Sequence, residues 1–264
     1  MQREEIYAAL PGALLPWYAS HARDLPWRRD REPYHVWLSE IMLQQTRVEA
    51  ARGYYLRFLD AFPTLRDLAA ADEARLLKLW EGLGYYSRAR NLQKAARVLC
   101  DEYGGVFPDT REALEGLPGV GPYTAGAVAS ICFERPCAAV DGNVLRVLSR
   151  LTADGAPVDL PATRADIAAR LESVYPAGAC GAFTQALMEL GAVVCTPKSP
   201  KCGLCPANDF CLAAARGETA RYPVRLPKRE KRTEKRTVLL LECEGRFAVE
   251  RRSASGLLAG LWQL

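Results

Sequence analysis

Four cysteines near residue 200 are the residues whose type and spacing most directly predict chemistry. They are Cys195, Cys202, Cys205 and Cys211, in the segment CTPKSPKCGLCPANDFC. Four thiolates this close together, with proline and glycine between them, can surround one metal centre without help from distant parts of the chain. Zinc sites usually pair two short C-x2-C hooks, whereas this segment has one such hook, flanked by spacings of six and five. The pattern therefore favours a [4Fe-4S] cluster over zinc.

The overall composition is that of a folded, intracellular protein. The chain has 264 residues, 49% of them hydrophobic, and a net charge of +4, which permits a nucleic-acid partner without requiring one. It contains no run of eighteen apolar residues and no signal-peptide pattern, so we expect a cytosolic protein without a membrane partner. In a reducing cytosol, cysteines outside the metal motif are expected to be small core residues. These are Cys100, Cys132, Cys137, Cys180 and Cys243.

An acidic residue lies at the edge of an apolar stripe in the segment WLSEIMLQQTRVE. Trp37, Ile41 and Met42 recur at helical spacing and would bury one face, with Glu40 at its margin. A carboxyl group at such a border has a raised pKa and can keep its proton near neutral pH, as a general acid must. The ordinary alternative is a glutamate that merely flanks a helix core.

The same segment contains a predicted break between two helices. Thr46 and Glu49 have the spacing of a capping box, in which each side chain hydrogen-bonds to the backbone of the other residue. We therefore expect one helix to end near Gln44 and Gln45 and the next to begin at Thr46. The two glutamines would then lie in a turn.

A Pro-Gly-Val-Gly turn links two predicted helices in LEGLPGVGPYTAGAVAS. The first helix ends at Leu117, and the second begins at Pro122, where proline is tolerated in the first turn. Backbone N–H groups of Gly119, Val120 and Gly121 would lie at a helix N-terminus and could bind a phosphate. Helix hairpins without a ligand use the same residues, so both interpretations stay open.

Asp141 precedes another helix in the segment AVDGNVLRVLSRL, whose residues Val144, Val147 and Leu148 would face a core. The ordinary role of Asp141, or of Asn143, is to cap that helix. The alternative is a carboxylate that the helix N-terminus keeps ionised and available to a developing cation.

The elements that must position these residues are mostly helices. Up to about residue 215 the apolar residues recur at three- and four-residue steps, which predicts an all-α region. Residues 216–236 carry nine Lys or Arg and predict an exposed basic linker, or alternatively a strap that contacts phosphates. The segment TVLLLECEGRFAVERR then alternates around a turn at Glu244 and Gly245, which predicts a β-hairpin.

These motifs together resemble those of MutY-type adenine DNA glycosylases, within the helix-hairpin-helix, iron-sulfur glycosylase superfamily that also contains endonuclease III. Besides the cysteine loop, the matching segments are DLPWR (24–28), PYHVWLSEIMLQQTRV (33–48), WEGLGYYSRARNL (80–92), LPGVGPYTAGAV (117–128) and AVDGNVLRVLSR (139–150). The tail ERRSASGLLAGLWQL resembles the beginning of the family's Nudix-like C-terminal domain. Because that domain is expected to be incomplete here, discrimination for 8-oxoguanine is expected to be reduced.

The resemblance implies an all-α fold of two helical subdomains with a short β tail. A six-helix barrel with the helix-hairpin-helix would span residues 30–136. A discontinuous iron-sulfur domain would combine residues 1–29 with 137–215. The basic linker at 216–236 would lead to the incomplete Nudix-like β domain at 237–264.

The resemblance also assigns roles in breaking an N-glycosidic bond to adenine. Glu40 would protonate the purine, Asp141 would stabilise the sugar cation, and Tyr123 and Asn143 would position these groups. Bifunctional endonuclease III relatives carry a lysine where this chain has Tyr123, and tyrosine cannot form a Schiff base. The resemblance therefore implies a monofunctional glycosylase that leaves an abasic site.

An adenine inside a duplex must be flipped out before it can react. The resemblance places Gln45, Thr46 and Tyr85 near the gap and the partner base, and Arg23, Trp27 and Arg28 near the adenine pocket. The tyrosine and the tryptophan have a second interpretation as core aromatics. The implied partner is double-stranded DNA with adenine opposite 8-oxoguanine or guanine, and we expect a monomer associated with a bacterial nucleoid.

Two other functions fit part of the sequence. An endonuclease III-like pyrimidine glycosylase and lyase would share the fold but would need the lysine. A catalytically idle iron-sulfur DNA-binding protein would keep the hairpin and the cysteines but should lack one of the two carboxylates. Glu40 and Asp141 are both present, which favours an enzyme.

Overall fold

The computed structural model describes residues 2–227, 233, 235, 237–253, 256 and 260–264. Within them the helices are α1 (Arg3–His21), α2 (Pro33–Leu43), α3 (Val48–Ala61), α4 (Leu65–Ala70), α5 (Glu73–Trp80), α6 (Ser87–Glu102), α7 (Arg111–Glu115), α8 (Pro122–Phe133), α9 (Gly142–Thr152), α10 (Pro161–Glu172), α11 (Cys180–Val193) and α12 (Leu212–Ala215). The predicted all-α fold is confirmed. None of the described helices is long and apolar enough to cross a bilayer.

The helices pack around two large hydrophobic cores and a smaller cluster that includes Val36 and Ala127. The first core lies among α2 to α8 and includes the fully buried Trp37 and Trp80. The second lies among α1 and α9 to α12 and includes Leu148. Leu25 and Trp27, which come before α2, pack in the first core. The division into two helical subdomains stays a prediction.

Helices α8 and α11 approach each other closely where the two cores meet. A Cβ atom on Gly181, in the first turn of α11, would lie 2.9 Å from Ile131 Cα on α8, so α11 can pack this closely only with glycine at this position. The hydroxyl of Thr184 on α11 donates a 2.8 Å hydrogen bond to Ser130 Oγ on α8, which satisfies both buried groups. This contact fixes Tyr123, at the start of α8, relative to α11.

The break after α2 is present, but its cap differs from the prediction. Helix α3 begins at Val48 and its N-cap residue is Arg47, so the predicted capping box at Thr46 is wrong. The reason is the turn before it, where Gln45 adopts a left-handed conformation with φ of 58°. The Thr46 N–H then bonds back to the Leu43 carbonyl oxygen at 3.2 Å instead of starting a helix.

Part of the predicted basic linker packs against the second core. Tyr222 is buried, and the Val158 N–H donates a 3.0 Å hydrogen bond to the Val224 carbonyl oxygen. The beginning of the stretch is therefore not an exposed linker, because its apolar residues have a surface to cover. Its more basic remainder lies largely outside the described residues.

The predicted hairpin is present near the C-terminus. Strands β1 (Glu242–Cys243) and β2 (Arg246–Phe247) pair antiparallel around the predicted turn. A second pair, β3 (Glu250–Arg251) and β4 (Trp262–Gln263), is also antiparallel. Cys243 is exposed on β1, so its expected place in a core is wrong.

Candidate active site

A cleft of about 610 Å³ lies between the two cores and gathers most of the residues that the sequence singled out. Those that line it are Arg23, Trp27, Arg28, Glu40, Gln45, Thr46, Tyr123, Asp141 and Asn143. They come from the loop after α1, from the end of α2 and the turn after it, and from the first turns of α8 and α9. Packing thus brings four distant segments of the chain to one site.

Glu40 lies in the wall of the cleft formed by α2, with only 6% of the residue exposed. The hydroxyl of Tyr123 donates a 2.5 Å hydrogen bond to its Oε2 atom. Burial raises the pKa of Glu40 to about 7, while the bond from Tyr123 acts in the opposite direction. The nearby charge of Asp141 also contributes to the rise to about 7. Glu40 can therefore carry a proton near neutral pH, as a general acid requires.

Asp141 has the ordinary one of its two predicted roles, and its role toward a developing cation stays a prediction. Its Oδ1 atom accepts a 2.7 Å hydrogen bond from the Val144 N–H, so Asp141 caps α9. Its Oδ2 atom accepts a 2.8 Å bond from Asn143 Nδ2, and the carboxyl group also lines the cleft. Burial raises the pKa of Asp141 against these hydrogen bonds and the charge of Arg146, which lower it. The helix N-terminus therefore does not by itself set its ionisation.

Glu189 also lines the cleft, and it was not among the residues that the sequence motifs predicted. Its side chain is fully buried on α11. Arg23 Nε donates to its Oε1 atom at 2.6 Å, and Arg28 Nη2 donates to its Oε2 atom at 2.8 Å. Burial would raise the pKa of Glu189, but these two arginines outweigh it and hold the pKa at about 2. The signal in the sequence was the same as for Glu40, an acid within an apolar helix.

Trp27 is mostly a core residue, although its edge reaches the cleft. Its ring packs edge-on against Tyr55 at a centroid distance of 5.4 Å. Tyr85 has the opposite character, because 63% of it is exposed and its φ is 46°. Tyr85 does not line the cleft, whereas Gln45 and Thr46 do.

The Pro-Gly-Val-Gly turn connects α7 with α8 as predicted. Gly119 has a φ of 77°, and a Cβ atom there would lie 2.7 Å from Asn91 Cβ, so the turn needs glycine. Gly121 is the N-cap residue of α8. The Val120 N–H donates to the Leu117 carbonyl oxygen at 3.1 Å, so this group is already used within the turn. Helix α7 ends at Glu115, two residues before the predicted end at Leu117.

The four cysteines of the loop before α12 line one common pocket. Its remaining walls are largely apolar, with Val147, Leu151 and Leu190 among them. In the part of the chain that the structure describes, no group of three or more His, Cys, Asp or Glu side chains is arranged to hold a metal ion.

Two buried arginines on α9 connect the cleft with this cysteine pocket, and the sequence analysis identified neither. Arg146 Nη2 donates to Asn143 Oδ1 at 2.8 Å, and its Nε donates to the Cys195 carbonyl oxygen at 2.8 Å. Arg150 Nη1 donates to Cys195 Sγ at 3.4 Å and to the Thr196 carbonyl oxygen at 2.7 Å. One face of α9 thus holds the cysteine loop in place and also contacts Asn143, the partner of Asp141.

The site thus combines a helix hairpin, a cleft between two helical cores and a four-cysteine pocket. The sequence of residues 38–172 matches the family described as HhH-GPD superfamily base excision DNA repair protein. The chain belongs to this superfamily.

Adenine DNA glycosylases are among the similar relatives. The human protein is 38% identical over 97% of this chain and 57% of its own length. The rat protein is 47% identical over 77% of this chain and 41% of its own length. The protein of Buchnera aphidicola from Schizaphis graminum is 34% identical over 94% of this chain and 72% of its own length. The chain spans about half the length of the first two of these relatives.

Solved structures with the same fold include a thymine-DNA glycosylase and an endonuclease III. A thermostable thymine-DNA glycosylase is 30% identical, with a TM-score of 0.72 over 81% of this chain and 97% of that chain. An endonuclease III in a non-covalent DNA complex is 24% identical, with a TM-score of 0.67 over 82% of this chain and 98% of that chain. The second likeness shows the fold alone.

Proposed function

We propose that the chain is a monofunctional DNA glycosylase that removes adenine mispaired with 8-oxoguanine or guanine and leaves an abasic site. The observation that carries this proposal is a pair of carboxyl groups that line one cleft, the buried Glu40 and the half-buried Asp141. Tyr123 donates a hydrogen bond to Glu40, and Asn143 donates one to Asp141. The similarity to adenine DNA glycosylases supports adenine as the base.

The reaction needs a proton for the leaving purine and a negative charge near the sugar. Glu40, with a pKa of about 7, transfers its proton to a ring nitrogen of adenine as the bond between that base and C1′ breaks. Asp141 stabilises the positive charge that develops on the sugar. Water then attacks C1′, and Glu40 recovers a proton from that water. Tyr123 keeps Glu40 oriented throughout through its 2.5 Å hydrogen bond.

The absence of a lysine from the described cleft lining supports a monofunctional reaction. Burial raises the pKa of Tyr123 well above its usual value, so its hydroxyl remains a neutral hydrogen-bond donor. Without an amine next to C1′ no Schiff base forms, and the DNA strand remains intact at the abasic site.

The DNA-facing residues would divide the work of extruding adenine from double-stranded DNA. Gln45, Thr46 and Tyr85 would occupy the gap and contact the partner base, and Arg23, Trp27 and Arg28 would surround the extruded adenine. Gly119, Val120 and Gly121 would lie against the phosphate backbone at the start of α8. Because the substrate is chromosomal DNA, we place the chain as a monomer on the nucleoid in a bacterial cytoplasm.

The cysteine pocket would hold a [4Fe-4S] cluster through Cys195, Cys202, Cys205 and Cys211. The four cysteines line one common pocket, and an all-cysteine ligand set suits a cluster, because each thiolate binds a different iron. A single zinc ion would draw all four sulfurs to about 2.3 Å from one point. When bound, the cluster would cross-link the loop. Arg146 and Arg150 hold that loop against α9 by donating to its carbonyl oxygens and to Cys195 Sγ.

A single-turnover assay tests the proposed reaction. Excess protein is incubated with a duplex that carries adenine opposite 8-oxoguanine or guanine, and alkali then converts abasic sites into strand breaks. We expect a break at the adenine after alkali and none before it, and no reaction with an adenine opposite thymine. If protein that contains its iron produces no alkali-labile site at the adenine, the proposed glycosylase activity is refuted.

Borohydride trapping tests the monofunctional part separately. We expect no covalent complex with the substrate duplex, whereas an endonuclease III relative assayed beside it should be trapped.

Iron and sulfide analysis tests the proposed cofactor, with four iron and four sulfide ions expected per chain. Cys202→Ser should lower the iron content, and Cys100→Ser, outside the pocket, should leave it unchanged.

A further inference from the structure

Arg88, in the first turn of α6, contacts two turns that come from different parts of the chain. Its Nη1 atom donates to the carbonyl oxygens of Ile41, Met42 and Gln44 at 2.8, 3.3 and 2.6 Å. Its Nη2 atom donates to those of Leu83 and Gly84 at 3.0 and 3.3 Å. One guanidinium group thus bridges the end of α2 and the loop between α5 and α6.

Each of these turns presents one residue in a strained backbone conformation. The Gln45 turn, residues 44–47, has Gln45 at a φ of 58°, and the Tyr85 turn, residues 82–86, has Tyr85 at a φ of 46°. A non-glycine residue at positive φ persists only when its surroundings hold it there. Both residues are exposed, so the restraint must come from the base of each turn.

The surroundings of Arg88 indicate that it acts through geometry rather than through an ion pair. Among the described residues no carboxylate forms a salt bridge with it; its acceptors are backbone carbonyl oxygens. Its guanidinium lies 5.3 Å from the ring centroid of the buried Trp80 and 5.8 Å from that of the exposed Tyr85. The Trp80 Nε1–H also donates to the Gly84 carbonyl oxygen at 3.1 Å. The Tyr85 turn is therefore fixed from below at several points.

We propose that Arg88 is a positioning residue that holds the Gln45 turn and the Tyr85 turn at a fixed separation, so that both tips enter the duplex together. The proposal rests on the proposed function, because it assumes that adenine leaves the duplex and that its place is filled. Arg88 also bonds to the carbonyl oxygen of Ile41, the residue after Glu40, yet it does not contact the Glu40 carboxyl group. Its loss should therefore impair base extrusion and leave the titration of Glu40 unchanged.

A double-mutant cycle tests this role. Arg88→Met should lower the single-turnover rate of adenine release by about tenfold or more, because small displacements of positioning groups have effects of this size. In a Gln45→Ala/Tyr85→Ala background the same substitution should have less than about a threefold effect, since the tips it positions are gone. The control is Arg97→Met on the same helix, where the arginine bonds to the Ala69 carbonyl oxygen. A tenfold loss that persists in the Gln45→Ala/Tyr85→Ala background would show a general structural defect and refute the proposal.

Fluorescence separates this proposal from the proposed function. A duplex with 2-aminopurine beside a non-hydrolysable 2′-fluoro adenosine reports extrusion without bond cleavage. We expect the fluorescence to rise with the unmodified chain, to stay low with Arg88→Met and to recover in part with Arg88→Lys. On a hydrolysable duplex, the apparent pKa of the rate of adenine release should be the same in all active variants. If the unmodified chain extrudes the base but releases no adenine from a hydrolysable duplex, the proposed glycosylase activity is refuted. The positioning role of Arg88 would still be supported by the loss of fluorescence in Arg88→Met. An equal rise with Arg88→Met would refute the role of Arg88.

Discussion

The α2 wall and the α11 wall of the cleft each contain a buried glutamate, and the pKa values of these two residues are shifted in opposite directions. On the α2 wall the pKa of Glu40 is raised to about 7, whereas on the α11 wall the pKa of Glu189 is lowered to about 2. Both are removed from water, and burial favours the neutral form of each. The partners make the difference, because Glu40 has a neutral tyrosine hydroxyl and Glu189 has two arginines.

This difference separates a group that can donate a proton from a group that holds other groups in place. Glu189 remains an anion and orients Arg23 and Arg28 along one side of the cleft. Glu40 shares the cleft with the positive charge of Arg28, which lowers its pKa slightly but does not outweigh burial. A site can thus contain a protonated and an ionised glutamate at the same pH, and each prediction below tests one side of this contrast.

Replacing the protonated glutamate should have the largest effect on activity. Glu40→Gln removes the proton donor but keeps the shape, so the single-turnover rate of adenine release should fall roughly a thousandfold. Binding of the substrate duplex, measured by fluorescence anisotropy, should change by less than about threefold. Glu102→Gln, an exposed position on α6, serves as the matched control and should keep full activity. A fully active Glu40→Gln variant would refute the mechanism while leaving the function intact.

Replacing the ionised glutamate should mainly lower stability. Glu189→Ala leaves two arginines without their acceptor, so the free energy of unfolding in urea at pH 6 should fall by about 3 kcal/mol. This value is at the low end for buried pairs because Arg23 is about one third exposed. Glu40→Gln at the same pH should change it by less than about 1 kcal/mol, because a protonated carboxyl group is replaced by an amide. Equal losses in both variants would contradict the contrast between the walls.

The rate of adenine release should depend on pH through the α2 wall. Because Glu40 is active when protonated, the rate should be high below its pKa of about 7 and fall about tenfold per pH unit above it. Single-turnover rates between pH 5.5 and pH 9 measure this limb. The same limb in Glu40→Gln, at its much lower rate, would assign the titration to another group.

Stability should depend on pH in opposite windows for the two walls. The folded-state pKa of Glu189 lies below its unfolded value of 4.5, so its contribution is present above pH 4.5 and is lost as the pH falls toward 2. The folded-state pKa of Glu40 lies above 4.5, so its contribution is present below pH 4.5 and is lost as the pH rises through about 7. The pH dependence of unfolding in Glu189→Ala and Glu40→Gln separates the two.

The sequence was sufficient to identify those site residues that lie in short motifs. Glu40 stood out as an acid beside an apolar stripe, and Asp141 as a residue before a helix, and both line the cleft. The glycines of the hairpin turn were likewise visible, and Gly119 indeed has positive φ. These features are local, so spacing along the chain was enough to mark them as candidates, and the resemblance to a known family supplied their roles.

The residues that the sequence did not show act across the fold. Glu189 bonds to arginines more than 160 positions away, and Arg88 bonds to carbonyl oxygens of α2 more than 40 positions away. No periodicity marks such partners, because their proximity arises only from tertiary packing. The predicted capping box was wrong for a related reason, since the left-handed conformation of Gln45 moved the start of α3 by two residues, from Thr46 to Val48.

Tyr123 is the point at which the smallest change should still be measurable. Its hydrogen bond lowers the pKa of Glu40 against the effect of burial, so Tyr123→Phe should raise that pKa. The falling limb of the rate profile should then move to higher pH, by about one unit or less, while the maximal rate falls because Glu40 is less well oriented. Tyr34→Phe is the control, because Tyr34 is also a buried tyrosine but donates to the Phe62 carbonyl oxygen at 2.8 Å and should leave the limb in place. If the falling limb of the rate profile instead moves to lower pH in Tyr123→Phe, the Tyr123 hydroxyl must favour the protonated form of Glu40. A neutral hydrogen-bond donor would then no longer account for the difference between the pKa values of Glu40 and Glu189.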